Sequence, residues 1–276
     1  SGNRGENSSL LSGLVGLAVK TEKSKLKFNA LHIQNGVSRS AEYLVNNIVI
    51  SSNTTFRDVL DYTERSITNL MLGGEHLLEG PQLEINWKLS PTFSQINDKD
   101  IRDTPFTDEE GVLSIQPSEG GDPQRLWRFL DEQNYVAKVD FTKKYLFGGE
   151  DAKFKFGFSE TYKERDFEIQ AFRINLRRED ELDINGDPNQ LLAPENIWTV
   201  ERGAGSYVEG DFQPNNEFSG RINIAGAYVS NEFQITEQLK SIVGVRVEQF
   251  NHFYTGADQQ FASTGGQAGR FFDDEE

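Results

Sequence analysis

The chain has 276 residues and a formal net charge of −16, and 36% of its residues are hydrophobic. This acidic balance argues against nucleic acid as a partner, because phosphate backbones are bound by clustered Lys and Arg. Cysteine is absent, which excludes a disulfide framework, a thiol nucleophile and a Cys-based zinc site. No stretch approaches the ~20 apolar residues of a membrane-spanning helix, but a transmembrane strand needs only ~9–11 residues that are apolar at alternate positions.

The first half of the chain predicts two hairpins. Residues 14–20 alternate as a strand, and a short charged turn leads to a second strand at 26–31. Residues 57–71 predict a third strand with an ambiguous phase. A Gly-rich turn over 73–81 then leads to a fourth strand at 83–90, and Pro91 after it predicts a bulge or the end of the most regular pairing.

Two further hairpins are predicted in the second half of the chain. Residues 135–142 and 153–159 alternate as strands on either side of Gly148 and Gly149, which accept the positive φ of a tight turn. Residues 218–233 and 240–254 form the last pair, joined by another short turn.

Long polar excursions separate these hairpins. We expect loops over residues 34–55, 97–133 and 175–216, and a fourth loop beginning at Thr255; the second and third are acidic. Short turns that alternate with long connections are typical of outer-membrane barrels, which have tight periplasmic turns and long outer loops. A soluble sandwich can mix connection lengths but has no reason to alternate them.

Four segments carry a likeness to a known family: YTERSITN at 62–69, GEH at 74–76, NYVAKVDF at 134–141 and GVRVE at 244–248. In them the chain resembles the barrel of TonB-dependent outer-membrane receptors. The resemblance extends over residues 14–254 and implies that residues 1–276 are an interior part of a barrel of roughly 22 strands with a plugged lumen. It also implies a place in the cell outer membrane of a Gram-negative bacterium, with lipid around the barrel.

The function implied by the resemblance is import of a scarce nutrient such as an iron chelate, a vitamin or a glycan. Energy would come from the TonB complex through a plug region that lies outside this sequence. We therefore expect an all-β fold, an antiparallel up-and-down transmembrane β-barrel segment of about eight strands, with no cofactor and no enzymatic activity. The alternative is a secreted or surface all-β binding module with a soluble core, and an enzyme in a barrel wall is more distant.

Charged residues that alternate with the apolar ones are the candidate lumen lining: Lys27, Glu84, Lys88, Lys138, Asp140, Arg246 and Glu248. In a sandwich the same residues would form a solvated face. Five aromatic residues suit the girdles at the membrane interfaces or, equally, core packing: Trp87, Tyr135, Tyr145, Phe147 and Tyr228.

Metal-binding signals are weak. Asp183, Asn185 and Asp187 resemble the start of a calcium loop, but Pro194 stands where the bidentate Glu is required, which favours an Asn-Gly turn in a solvated loop. The three histidines fall on different hairpins without metal-ligand spacing, which favours rim or turn positions for them: His32, His76 and His252.

Overall fold

The computed structural model describes residues 2–46, 54–109, 111–236, 238–266 and 270–275. Within these residues the fold is all-β, with eleven strands in one antiparallel sheet. Eight of the described strands are long: β1 Gly2–Lys20, β2 Ser24–Asn46, β3 Thr54–Leu78, β4 Leu83–Glu109, β6 Gln124–Phe147, β7 Glu150–Arg177, β9 Glu217–Thr236 and β10 Leu239–Ala257. Three are short: β5 Val112–Ser114, β8 Gly205–Gly210 and β11 Phe271–Glu275.

Helical structure is confined to the connections. The helices are α1 Pro117–Gly120 and α2 Gln259–Thr264, with 3₁₀ turns at Glu179–Glu181, Pro188–Gln190, Pro194–Asn196 and Pro214–Asn216. Over the described ranges, neither helix has the length and apolar character needed to cross a membrane.

Strands that follow one another in the chain are neighbours in the sheet. The order is β1-β2-β3-β4-β6-β7-β9-β10-β11, while β5 pairs with β4 and β8 pairs with β7. The predicted all-β, antiparallel fold is confirmed, and the expected eight strands correspond to the eight long ones. In the described part of the chain the sheet is open, with β1 and β11 at its edges.

The four predicted hairpins are present as β1–β2, β3–β4, β6–β7 and β9–β10. The β6–β7 turn has only two residues, because Phe147 pairs directly with Glu150. Gly148 and Gly149 between them have φ of 63° and 90°, a conformation that disfavours side chains with a Cβ. This turn was predicted from its two glycines.

The predicted long loops are wrong in two of four places. Much of 34–55 belongs to β2 and β3, and residues 47–53 lie outside the described ones. Most of 97–133 belongs to β4 and β6, and β3 continues through the predicted turn at 73–78. The third excursion is confirmed as a connection from 178 to 216 that contains β8, and the fourth begins near its predicted start, after β10.

The strands are longer than predicted because pairing does not require an alternating apolar face. Backbone hydrogen bonds continue where both faces are polar, and cross-strand ion pairs support the ladder there. Arg39 on β2, for example, contacts Asp61 on β3 at 3.2 Å. Hydrophobic periodicity therefore identifies only the part of each strand that has an apolar side.

β4 has an irregularity in its pairing, but it does not lie at Pro91. Pro91 pairs in register with Tyr135, whereas β4 gains one residue relative to both neighbouring strands between Asp98 and Ile101. Asp100 in this bulge has a φ of 57°. Its burial acts to raise its pKa, but hydrogen bonds from Arg125 and Arg102 outweigh burial and lower the pKa of this carboxyl.

A buried apolar cluster holds the 178–216 connection against the strand ends. Ile184 and Leu191 from the connection pack with Phe106 of β4, with Ile174 of β7 and with Ile115, which follows β5. All five side chains are at most 4% exposed. Leu113, Leu176, Leu182 and Leu192 pack around them. The connection is therefore a folded layer on the sheet.

Candidate functional site

The seven predicted lining residues share one face of the sheet. Directly paired residues in an antiparallel sheet point to the same side. One row of pairs runs from Lys27 through Gly73, Lys88, Lys138, Ser159 and Gly226 to Glu248. The next row contains Asp140 and Arg246, and the third contains Glu84. We call this side the polar face; whether it faces a lumen stays a prediction.

Ion pairs connect most of these residues to neighbours on the polar face. Lys27 contacts Glu75 at 2.6 Å, Glu84 contacts Lys144 at 2.6 Å, and Lys138 contacts Asp140 at 3.0 Å. Arg246 Nε donates to Glu248 Oε1 at 2.8 Å. Lys88 forms no ion pair with any described residue, although it lies in the middle of its row. These contacts hold long side chains close to the sheet.

Tyr228 corrects one sequence-based expectation. It was a candidate for an interfacial girdle, but its hydroxyl donates to Asp140 Oδ1 on the polar face at 2.7 Å. The ring reaches Asp140 across Gly157, where an added Cβ would lie 2.6 Å from Tyr228 Cε1. The glycine between the two strands is what lets this contact form.

Sequence reasoning did not identify Glu232, which organises a second charged group on the polar face. Its side chain is 11% exposed and contacts Lys155 at 3.1 Å, Lys153 at 3.9 Å and Lys240. Lys153 pairs with Glu232 across β7 and β9, while Lys240 comes from β10. The sequence signal was the pair of lysines at alternate positions of β7, Lys153 and Lys155. Identifying Glu232 as their acidic partner required the register between β7 and β9.

The opposite side, the apolar face, is nearly continuous near the short turns. Ile85, Phe141, Phe156, Val229 and Val245 form one unbroken apolar row across β4, β6, β7, β9 and β10. The rings of Phe141 and Phe156 stack with centroids 4.7 Å apart. The next row includes Leu26, Trp87, Val139, Phe158 and Val247. Val245 is 64% exposed and Phe158 is 55% exposed, so this face lacks a covering layer within the described residues.

The apolar band has a defined height. On β6 it extends from Tyr145 to Tyr135, which are ten residues apart and point to the same side. Beyond Tyr135 the same side carries polar residues such as Gln133 and Asp131. Ten residues at about 3.3 Å each, tilted by roughly 40°, give a band about 25 Å tall. Among the described residues, charge interrupts it only at Lys143 and Glu160.

The candidate girdle residues other than Tyr228 lie on the apolar face. Tyr145 and Phe147 lie near the turns, Trp87 lies within the band, and Tyr135 lies at its far edge. The ring of Tyr135 contacts those of Phe93 and Tyr162, at centroid distances of 6.0 and 6.4 Å. Aromatic residues thus mark both margins.

The calcium-loop candidates form a turn. Asn185 and Gly186 have φ of 47° and 71°, and Asp187 N–H donates to the carbonyl of Ile184 at 2.9 Å. The Asp187 carboxylate accepts from the backbone N–H of Asn189 at 2.9 Å. No cluster of three acidic or His side chains suited to a metal ion occurs in the described parts of the chain.

The histidines lie on separate strands. His32 Nδ1 is 2.8 Å from Thr68 Oγ1, and His76 Nε2 accepts from Trp87 Nε1 at 3.0 Å. His252 lies on β10, beside the ring of Phe250. The structure therefore brings none of the three together.

Comparison with known proteins adds no family to this description. No family model matches the sequence, and no curated protein matches it either. What the structure shows is an open, antiparallel all-β sheet with one charged face and one exposed apolar face.

Proposed function

We propose that the chain is part of the wall of a TonB-dependent receptor in the outer membrane of a Gram-negative bacterium. The apolar face contacts outer-membrane lipid, and the polar face lines a water-filled lumen that holds a plug. The protein imports a scarce nutrient, such as an iron chelate, a vitamin or a glycan, with energy from the TonB complex. It performs no chemistry on the nutrient.

The apolar band is the observation that carries this proposal. A soluble protein rarely leaves a contiguous apolar surface uncovered across several strands, because that surface drives association. A band about 25 Å tall with aromatic margins and a charged opposite face matches a transmembrane barrel wall. The pattern supports the membrane placement, and import by way of TonB rests on the sequence resemblance.

The open edges add support. All 19 residues of β1 are exposed, and β1 pairs on one side only, with β2. A long exposed edge strand is an aggregation hazard in water, whereas closing a barrel removes every edge. In our proposal the edges pair with further strands of the same barrel wall. A soluble module would need some other way to protect them.

Site-directed spin labelling tests the membrane placement directly. The cysteine-free sequence allows single labels at Val229→Cys and Ser230→Cys, which are adjacent in β9 but on opposite faces. We expect the Val229 label to collide more with oxygen, which partitions into lipid, and the Ser230 label to collide more with a water-soluble nickel chelate. Equal accessibility at both sites, or a Val229 label shielded from both reagents, would favour the soluble module.

Uptake by intact cells tests the transport part. Cells with and without the gene are compared for uptake of ferric chelates, vitamin B12 and oligosaccharides, each radiolabelled. We expect gene-dependent uptake of one class, which stops when an uncoupler removes the proton gradient. Gene-dependent uptake that survives the uncoupler, or none for any class, contradicts the proposal.

A further inference from the structure

A cavity of ≈320 Å³ opens on the polar face beyond the apolar band. Leu130 in its wall is five residues past Tyr135 on β6, about 16 Å along the strand. The cavity therefore lies on the side of the long connections. Its volume falls at the lower end of the range for small-molecule sites.

One wall of the cavity is apolar. Ile96, Leu130 and Phe167 form a row of direct pairs across β4, β6 and β7, and all three are half-buried. Phe167 is held by Phe218, with ring centroids 5.1 Å apart. Ile169 extends the wall from the adjacent row. This apolar patch lies directly beside the charged residues of the cavity, and the paired Ile33 and Ile67 continue the apolar surface in the next row of the polar face.

Three arginines and two aspartates supply the charge of the cavity. Arg128 Nε donates to Asp98 Oδ2 at 2.6 Å, and the Asp98 side chain is 7% exposed. Arg39 is shared between Asp61 at 3.2 Å and Glu6 at 3.0 Å. Arg65 pairs with Ile96 across the strands and forms no ion pair with any residue in the described ranges. The cavity thus contains one guanidinium that has no counter-charge among the residues that the structure describes.

We propose that this cavity binds a small organic monocarboxylate with an apolar body, with Arg65 as the group that recognises the carboxylate. A guanidinium presents a planar fork of donors that matches a carboxylate. The apolar body lies against Leu130 and Phe167. The inference rests on the proposed import function for its biological role, but binding is measured without transport.

The charge balance favours a monoanion. Arg4 and Arg39 are balanced by Glu6 and Asp61, and Arg128 is balanced by Asp98, so Arg65 leaves one formal positive charge in this group. A carboxylate neutralises that charge, whereas a phosphate monoester carries about −1.5 to −2 and would meet the two aspartates with excess negative charge. The strongly acidic chain as a whole repels anions, so the recognition must be local.

Calorimetric titration of the full-length protein in detergent micelles tests this site. The probes are 1-naphthoate, the neutral 1-naphthamide, 1-naphthyl phosphate and acetate. We expect naphthoate to bind at least tenfold more tightly than each of the other three. Arg65→Gln is expected to weaken naphthoate binding by roughly 10- to 100-fold, the range for a lost charge-assisted hydrogen bond.

Two further variants make the result specific. Arg202→Gln removes one positive charge from an exposed position in the 178–216 connection, outside the cavity, and should leave naphthoate binding unchanged. Leu130→Ala should weaken naphthoate binding several-fold without affecting acetate. Equal losses in the two arginine variants, tighter binding of the phosphate or the amide, or no naphthoate binding would overturn the inference. Each of these outcomes leaves the spin-label result for the barrel wall intact.

Discussion

Val245→Arg is expected to destabilise the membrane-inserted protein by about 2–4 kcal/mol. Val245 lies in the apolar row with Val229 and Phe156, near the middle of the band on β10. If that row faces lipid, an arginine there must be partly dehydrated or must distort the bilayer. If the face were in water, the same change at a 64% exposed position would be nearly neutral.

Urea titration of the protein in lipid vesicles measures this effect. The control is Asn251→Arg, on the same strand and the same face, in the row of Tyr135 and Tyr162 at the margin of the band. An arginine at that depth is expected to cost at most about 1 kcal/mol. A Val245→Arg protein as stable as the Asn251→Arg protein would remove the main support for a lipid-facing surface.

Leu191→Ala is expected to release the 178–216 connection from the sheet. Leu191 is 1% exposed among Phe106, Ile115, Ile174 and Ile184. Loss of a fully buried leucine side chain costs about 2–4 kcal/mol, because the site cannot collapse completely around the cavity. The substitution leaves the backbone carbonyl of residue 191 in place for the buried Ser206 hydroxyl, but the segment that carries this carbonyl is held less firmly.

Limited proteolysis reports the opening of this connection. When reclosing is faster than cleavage, the cleavage rate follows the open population, so a loss of 2–4 kcal/mol raises it roughly 30- to several hundred-fold. Val200→Ala, a 78% exposed position in the same connection, should cleave at the parent rate. Equal rates for both variants would show that the buried cluster does not hold the connection down.

The sequence predicted the turn-proximal part of each hairpin well. Strands such as 83–90 and 135–142 have one apolar and one charged side, and this alternation gave both the strands and the shared face of the seven lining residues. The Gly148-Gly149 turn was likewise predicted from residues that accept positive φ. These features are local, so they are visible without tertiary information.

Strand length was not predictable in the same way. Stretches such as 34–46 and 124–133 continue the ladder, although no strict alternation of apolar and polar residues marks them. Their pairing partners are distant in sequence, as Arg39 and Asp61 show. The bulge at Asp100 was missed for the same reason, because it is defined only relative to β3 and β6.

The sequence alone thus determined the all-β class, the four hairpins and the division between a charged and an apolar side. These properties follow from alternation and turn chemistry, which act between near neighbours. The tertiary structure alone decided which residues meet across strands: Tyr228 with Asp140, Glu232 with three lysines, and Arg65 beside Leu130. Those contacts depend on register, and register is set by pairing between segments far apart in the chain.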